Sequence, residues 1–326
     1  MHITRRHLLA AATSALAGPA FAQPALAQGF PDRPVRLVVP FGPGGGTDNL
    51  VRLIEPHVRA VLGQPLVIEN RAGAGGTIGT EMVARAAPDG TTLLAVDSSF
   101  AINPSLFPRL PYDPVKDFTP VTLLASGPVV LLAHPSLPAT TLREIVAMAK
   151  AQPGKLSYAS GGNGASTHLA GELLKLVAGI DLVHVPYRGT GPATTDVVAG
   201  HVPLMFNGIS AARPHVDSGR LRAIAVTGDA RAPALPDVPT FAEAGWPDVT
   251  ASTFWGVLAP AGVPEANLAR LASAFRAGVA HPEIQERLRA LGFTPISDPA
   301  ASYAENLQSE TVKWARVVRE ANVKLD

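Results

Sequence analysis

The 326-residue chain contains no cysteine, and only 6% of its residues are aromatic and 16% charged. Without cysteine it cannot form disulfides, thiolate metal sites or iron–sulfur clusters, and it has no cysteine nucleophile. No stretch after the first 27 residues approaches 18 uninterrupted apolar residues, so the sequence predicts no membrane-spanning helix there. With 47% hydrophobic residues, the chain has enough apolar surface for packed cores without disulfides.

The first 27 residues have the composition of an export signal. Arg5-Arg6 is a basic pair, an Ala-rich apolar run extends from Leu8 to Ala22, and Ala25-Leu26-Ala27 has the form of a signal-peptidase site. Thr4–Leu9 also resembles a twin-arginine export signal. An uncleaved anchor is the alternative, but glycine and proline interrupt a run already shorter than a spanning helix needs. We predict a cleaved signal peptide over residues 1–27.

The mature chain carries almost no net charge. The leader contains two Arg and no acidic residue, so its removal shifts the formal net charge from +1 to −1. A nucleic-acid-binding protein needs a basic face for phosphate contacts. We therefore predict no nucleic-acid partner.

Short apolar runs alternate with amphipathic segments. Predicted strands cover residues 35–40, 66–69, 92–96, 129–133, 156–159, 182–185, 204–206 and 221–226, and predicted helices begin near residues 47, 77, 141, 166, 190 and 299. This alternation indicates βαβ units with a largely parallel sheet, and the length indicates about two domains. Pro56 should bend or shorten the first helix. Since no linker-like segment is present, we expect hinge strands near residues 126–129 and 250–256.

Three glycine-rich turns each connect a predicted strand to a predicted helix. They are residues 41–48 (FGPGGGTD), 73–77 (GAGGT) and 160–167 (SGGNGAST). Glycine lets the backbone approach a ligand closely, and free N–H groups at a helix N-terminus attract an anion. Ligands of open α/β sheets bind at the carboxyl ends of strands, where these turns lie. The turns are either ordinary connections or a cradle for a carboxylate, and this pattern alone leaves both interpretations open.

The usual catalytic and metal-binding motifs are missing. No segment completes a dinucleotide-binding glycine motif, a P-loop or a hydrolase elbow, and the nine His do not fall at metal-ligand spacings. Ser166 and His168 could form a Ser–His pair, but no acid stands out to orient the imidazole, and a buried or capping histidine is the simpler interpretation. Asp48 either contacts a ligand or favours the dipole of the first helix. We predict no catalytic residue, metal or cofactor.

A further segment, residues 185–193 (VPYRGTGPA), combines several groups that recognise carboxylates. Tyr187 and Arg188 leave a predicted strand and enter a Gly-Thr-Gly turn. Arg can bind a carboxylate through two parallel hydrogen bonds. An exposed arginine on an ordinary loop is the alternative interpretation.

Five segments form an ordered set that spans nearly all of the mature chain. They are residues 34–48 (PVRLVVPFGPGGGTD), 69–79 (ENRAGAGGTIG), 158–174 (YASGGNGASTHLAGELL), 184–193 (HVPYRGTGPA) and 253–264 (TFWGVLAPAGVP). In this order they resemble the extracytoplasmic solute receptors of tripartite tricarboxylate transporters, often called Bug proteins.

The resemblance implies an α/β, two-lobed fold of the type II periplasmic-binding-protein class. Each lobe would be a mostly parallel sheet flanked by helices, with the ligand cleft between the lobes. The first lobe would comprise residues 29–127 and 253–326, and the second residues 128–252. From the turns and from this resemblance, the expected ligand-binding residues are Phe41, Gly45, Thr47, Asp48, Thr77, Ser98, Gly162, Asn163, Ser166, Thr167, Tyr187, Gly189, Phe206 and Asn207.

The implied function is that of a monomeric periplasmic receptor. It would capture a small carboxylate (a di- or tricarboxylate, an aromatic acid or an amino acid) and deliver it to the membrane permease of a tripartite tricarboxylate-type transporter. The competing hypothesis is an exported hydrolase that uses Ser166 and His168. A hydrolase would also need an orienting residue and an oxyanion hole.

Overall fold

A computed structural model describes residues 29–187 and 189–324 of the chain. The predicted signal peptide and Arg188 lie outside the described residues. The strands are β1 (Val35–Val39), β2 (Leu66–Asn70), β3 (Thr92–Asp97), β4 (Phe118–Ala133), β5 (Ser157–Ser160), β6 (Val183–Pro186), β7 (Leu204–Gly208), β8 (Arg222–Val226), β9 (Ser252–Pro260) and β10 (Thr294–Asp298). The α-helices are α1 (Gly46–Leu62), α2 (Thr77–Ala84), α3 (Ser99–Leu106), α4 (Leu142–Ala151), α5 (Ser166–Ala178), α6 (Thr190–Val198), α7 (Ile209–Asp217), α8 (Glu265–Ala280), α9 (Pro282–Ala290) and α10 (Ala300–Glu320).

One strand, β4, belongs to both halves of the sheet. The strand order is β2-β1-β3-β9-β4-β7-β5-β6, and β8 and β10 also pair with β4. Residues 118–128 of β4 pair with β9, whereas residues 129–133 pair with β7. We call β1–β3, β9, β10, α1–α3, α8 and α9 the first half, and β5–β8 with α4–α7 the second half. The chain thus passes from the first half to the second within β4, at the crossing predicted near residues 126–129.

Helices cover both faces of the sheet in each half. In the first half, α1, α8 and α9 pack on one face, and α2 and α3 pack on the other. In the second half, α4 and α5 cover one face, and α6 and α7 cover the other. The described part of the chain contains no helix both long and apolar enough to cross a membrane.

The C-terminal helix α10 packs against both halves. Tyr303, near its start, is fully buried in the first-half cluster that contains α2 and α3 residues. Trp314, near its end, is fully buried in the second-half cluster that contains α4 and α5 residues, and its indole N–H donates to Glu310 (2.8 Å). The last helix therefore does not pack against the first half alone.

Pro56 does not shorten α1, which was one of the two effects expected from the sequence. The helix continues to Leu62 and ends at Gly63, which adopts a left-handed conformation with φ of 74°. Pro56 lies on the exposed face, as does Arg52 four residues earlier. The carbonyl that loses its helical hydrogen bond is therefore on the side that water can reach, which reduces the cost of the proline.

Candidate functional site

The carboxyl ends of the parallel strands in the two halves point toward each other. β1, β2 and β3 are parallel, and both β3 and β4 run antiparallel to β9, so the first three strands point toward the second half. β5, β6 and β7 are parallel, and β7 runs antiparallel to β4, so these strands point back toward the first half. The turns after both sets of strands therefore lie on opposite sides of one cleft.

Asp48 holds the first glycine turn in place. Its buried carboxylate accepts hydrogen bonds from the Gly44 amide, the Arg52 guanidinium and the Asn70 side-chain amide, each at 2.9 Å. Burial acts to raise the pKa of Asp48, but the hydrogen bonds from Arg52, Gly44 and Asn70 lower the pKa below its usual value. All three partners belong to the protein, so the Asp48 carboxylate holds the turn, and its contact with a ligand stays a prediction.

The start of α1 presents unpaired backbone donors. Gly45 is the N-cap residue and provides no side-chain hydrogen bond. The amides of Gly46, Thr47 and Asp48 donate to no acceptor within residues 29–187 or 189–324. Such donors, at the positive end of the helix dipole, suit a carboxylate. The Thr47 side chain itself is buried, and its hydroxyl lies 3.5 Å from Oδ2 of Asp97.

The start of α5 presents a second set of donors across the cleft. The Thr167 hydroxyl accepts a hydrogen bond from the Gly161 amide (3.0 Å) and thereby fixes the turn that precedes the helix. No side chain caps α5, and the amides of Asn163, Ser166 and Thr167 have no acceptor in the described part of the chain. This half therefore repeats the arrangement found at α1.

Gly162 and Gly189 bring the second-half turns into close contact. The Gly189 amide donates to the Gly161 carbonyl (3.0 Å). Gly162 has a φ of +125°, and a Cβ there would lie 2.7 Å from the Tyr187 carbonyl oxygen, so no other residue fits without a shift. The Tyr187 hydroxyl donates to Asp196 (2.7 Å), and burial together with this hydrogen bond raises the pKa of Tyr187 to about 12.

Ser166 and His168 do not form a nucleophile–base pair. The Ser166 hydroxyl shares a hydrogen bond with the Thr253 hydroxyl (3.0 Å). Nδ1 of His168 accepts from the Gly164 amide (3.1 Å), and the imidazole stacks on His184 with ring centroids 3.8 Å apart. Burial lowers the pKa of His168 to about 4. This geometry fits the interpretation of His168 as a buried histidine that supports the turn, and it offers a hydrolase no activated serine.

Two predicted side chains of the first half are bonded within the protein. The Ser98 hydroxyl is fully buried, accepts from the Phe254 amide (3.0 Å) and donates to the Ser252 carbonyl (3.3 Å). The buried Thr77 hydroxyl donates to the Ala74 carbonyl (2.9 Å). Ser98 therefore joins the end of β3 to β9 near the hinge, and the expected contact between its hydroxyl and a ligand stays a prediction.

The expectation that Phe206 faces the cleft is wrong. Its side chain has no exposed surface and packs in the second-half core with Tyr158 and Phe241. Asn207, whose side chain points to the other face of the strand, is also buried and donates to the Thr194 hydroxyl (3.0 Å). The predicted strand ended at Phe206, but β7 continues to Gly208, so Asn207 also lies within the strand.

Phe41 supports the glycine turn before α1 through its carbonyl and its ring. Its carbonyl accepts from the Asn70 side-chain amide (3.0 Å), and its half-buried ring lies close to Gly76, where a Cβ would be 3.3 Å from the ring. The glycine turns before α1 and α2 thus pack on each other. Asn70, which also bonds to Asp48, was not identified from the sequence because nothing local marks the end of a strand as a turn support.

Asp97 is a cleft residue that sequence reasoning missed. It is the last residue of β3, and its Oδ1 accepts from both the amide (2.9 Å) and the hydroxyl of Ser99. Burial raises the pKa of Asp97, while the hydrogen bonds from Ser99 oppose this rise. The sequence did offer a signal for this residue, because Asp97 is the only acid in β3 (TLLAVD) and stands at its carboxyl end.

Two other features lie away from the cleft turns. A groove of about 1040 Å³ lies between α5 and α10 and includes the exposed Val312. His57, His281 and Glu283 form a surface group whose potential metal-ligating atoms lie within 4.8 Å of one another. His57 is 11 residues into α1, which corresponds to roughly 16 Å from the cleft end of that helix. The spacing rules could not identify this group because its members are far apart in sequence.

Comparisons with known proteins agree on one family. The family described as tripartite tricarboxylate transporter family receptor matches residues 50–323. The protein BugT of Bordetella pertussis is 37% identical over 327 residues, covering 100% of both chains. Two solved structures from Rhodopseudomonas palustris are similar: MatC with bound malate (38% identity, TM-score 0.81, 89% of this chain and 100% of that one) and Rpa4515 with adipate (33% identity, TM-score 0.85, 90% and 99%).

Proposed function

Because the chain belongs to the tripartite tricarboxylate transporter receptor family, we propose that it binds a small carboxylate between its two halves and delivers it to a membrane permease of that transporter type. The observation that carries the proposal is the pair of unpaired helix N-termini, α1 and α5, on opposite sides of one cleft. The carboxylates bound to MatC and Rpa4515 support this class of ligand.

The proposed mechanism is closure of two lobes on the ligand. We assign residues 29–127 and 253–326 to one lobe and residues 128–252 to the other, with α10 in contact with both. Closure requires that the ligand bind the closed form better than the open form. Donors from both lobes meet this requirement, because only the closed form lets one molecule contact α1 and α5 together.

The proposed cellular setting follows from the leader and the family. Residues 1–27 have the features of an export signal, and the receptor would act as a monomer in the periplasm. No chemical step is required, since capture and release are sufficient for transport. The ligand should therefore leave the protein unchanged.

A thermal-shift and calorimetric screen of the mature, untagged protein tests the proposal. The panel contains malate, succinate, adipate, citrate, aspartate and benzoate. At a free concentration of about 100 times Kd, a true ligand should add about 2.7 kcal/mol to the free energy of unfolding. The proposal fails if no acid stabilises the protein, and it also fails if an acid is consumed by wild type but not by Ser166→Ala.

Substitution of Gly45 with valine should weaken binding without unfolding the protein. Gly45 has extended φ and ψ of −74° and 171°, and a Cβ there has only the Gly42 carbonyl within 4 Å, at 3.7 Å. The side chain therefore fits the backbone but covers the donors at the start of α1. We expect affinity to fall at least about tenfold, while the free energy of unfolding changes by about 1 kcal/mol or less.

Thr141→Val is the matched control for Gly45→Val. Thr141 is the N-cap of α4 and forms a capping box with Glu144, at the end of β4 that points away from the cleft. Loss of this cap should cost about 1 kcal/mol of stability and leave carboxylate affinity unchanged. If Gly45→Val binds the carboxylate as tightly as Thr141→Val does, the ligand does not bind at the start of α1.

A further inference from the structure

Asp97 gives the first-half side of the cleft an acceptor that the protein does not fully use. Its Oδ1 is occupied by the amide and hydroxyl of Ser99. Its Oδ2 has one hydrogen-bond partner among the described residues, the Thr47 hydroxyl, at the long distance of 3.5 Å. A carboxylate oxygen can accept two hydrogen bonds, so Oδ2 retains capacity for a donor.

The charge of Asp97 is not balanced by a basic side chain. Among the described residues, no ion pair joins Asp97 to a Lys, Arg or His, and the hydrogen bonds that lower its pKa come from Ser99, Thr47 and its own backbone. Asp48, the neighbouring acid, is paired with Arg52 at 2.9 Å. A buried acid without a cation is costly unless a donor completes its hydrogen bonds.

The second-half side of the cleft has the opposite character. Neither α5 nor α6 has an acidic residue in its first turn, and neither has a side-chain cap. The amides of Asn163, Ser166 and Thr167 have no acceptor among the residues that the structure describes. This side attracts a carboxylate, and a second carboxylate placed against Asp97 would meet a like charge.

Contacts near the hinge bring these two sides together. Ser98, next to Asp97, bonds to the backbone of Ser252 and Phe254 in β9. Thr253, between those two residues, bonds to Ser166 at the start of α5. Through these contacts the end of β3 and the start of α5 both attach to the same three residues of β9.

We propose that Asp97 is a subsite for a hydroxyl or ammonium group of the ligand, so that the receptor prefers hydroxy- or amino-carboxylates to unsubstituted acids. The inference rests on the proposed carboxylate-binding function and adds a ligand class to it. The α5 turn would hold the carboxylate, and Oδ2 of Asp97 would accept a hydrogen bond from the substituent. A hydrogen bond to a charged acceptor is strong enough for about tenfold discrimination or more.

Titration calorimetry with matched acids tests the subsite. Malate and aspartate each differ from succinate by one donor group, and lactate differs from propionate in the same way. For wild type we expect at least about tenfold tighter binding of the substituted acid in each pair. In Asp97→Asn, which keeps an acceptor for Ser99 but removes the charge, this ratio should fall below about threefold.

Asp113→Asn is the control, because Asp113 lies in a surface turn, where it accepts from the Val115 and Lys116 amides and pairs with the Lys116 side chain. It should leave the ratios unchanged, and unfolding curves should show that both variants are folded. If wild type binds the two acids of each pair equally and Asp97→Asn gives the same ratio, the Asp97 subsite is overturned. The proposed carboxylate-binding function would still stand. Binding of no acid, substituted or unsubstituted, overturns the proposed function as well.

Discussion

Replacement of Gly162 with alanine is expected to weaken carboxylate binding by at least about 30-fold. Gly162 combines a φ of +125° with a position where Cβ would lie 2.7 Å from the Tyr187 carbonyl oxygen. The turn must therefore move away from the Tyr187–Gly189 segment, and the unpaired amides before α5 move with it. Because backbone donors need accurate geometry, a shift of this kind should affect binding more than folding.

Gly179→Ala provides the matched control for Gly162→Ala. Gly179 ends the same helix with a φ of +61°, and a Cβ added there would have no neighbouring atom within 4 Å among the described residues. Alanine at this position should cost about 1 kcal/mol of stability through backbone strain alone. Calorimetry of both variants should show lost binding only for Gly162→Ala, and equal affinities would mean that the α5 turn does not hold the ligand.

The second large effect expected is a loss of stability in mild acid that depends on His168. Burial, with a smaller contribution from Lys175, lowers the pKa of His168 from 6.5 to about 4. Above pH 6.5 the residue is neutral in both the folded and the unfolded chain, so it does not change stability. Between pH 6.5 and about 4 the unfolded chain binds the proton first, and folding loses about 3 kcal/mol over this interval.

The surroundings of His168 explain why its neutral form is preferred. Nδ1 must accept from the Gly164 amide, and Nε2 lies 3.8 Å from Glu172. Glu172 already accepts hydrogen bonds from Tyr158 (2.7 Å) and Lys175 (3.0 Å), so its charge is largely compensated. Protonation would convert Nδ1 into a donor that faces the Gly164 N–H and would disrupt the turn before α5.

His168→Asn should remove this pH dependence. The Asn side-chain oxygen can take the place of Nδ1 as the acceptor for Gly164, and it does not titrate. Denaturant unfolding at about pH 7 and about pH 4 should show that wild type loses about 3 kcal/mol more than the variant. His201→Asn, at an exposed surface histidine, should behave like wild type. If His168→Asn loses as much stability as wild type, His168 is not the group responsible.

Local patterns were sufficient to predict most of the elements and the three glycine turns. β1, α1 and α5 begin within about one residue of their predicted starts, because apolar periodicity and glycine boundaries are local signals. The first part of β4 was missed because Pro120, Gly127 and Pro128 interrupt it and the pairing shifts register there. β10, a short strand that contains Pro295, was missed for the same reason.

The site was less predictable than the fold, because the roles of side chains depend on distant partners. Asp48 and Ser98 were expected to contact a ligand, yet they hold turns and strands through residues that lie far away in sequence. The unpaired amides of α1 and α5 were the part that sequence could predict, since a glycine turn before a helix specifies backbone donors. The amides of α1 and those of α5 face each other because the strands of the two halves run in opposite directions, and the sequence does not show these directions.

The central claim is that backbone amides at the starts of α1 and α5 hold a carboxylate in the cleft. A crystal structure of the mature protein with the tightest-binding acid of the panel tests it most directly. We expect carboxylate oxygens about 2.7–3.2 Å from the amide nitrogens of Ser166 and Thr167, with the ligand also in contact with the α1 turn. A ligand bound in the groove between α5 and α10, or held in the cleft by side chains alone, would contradict the claim.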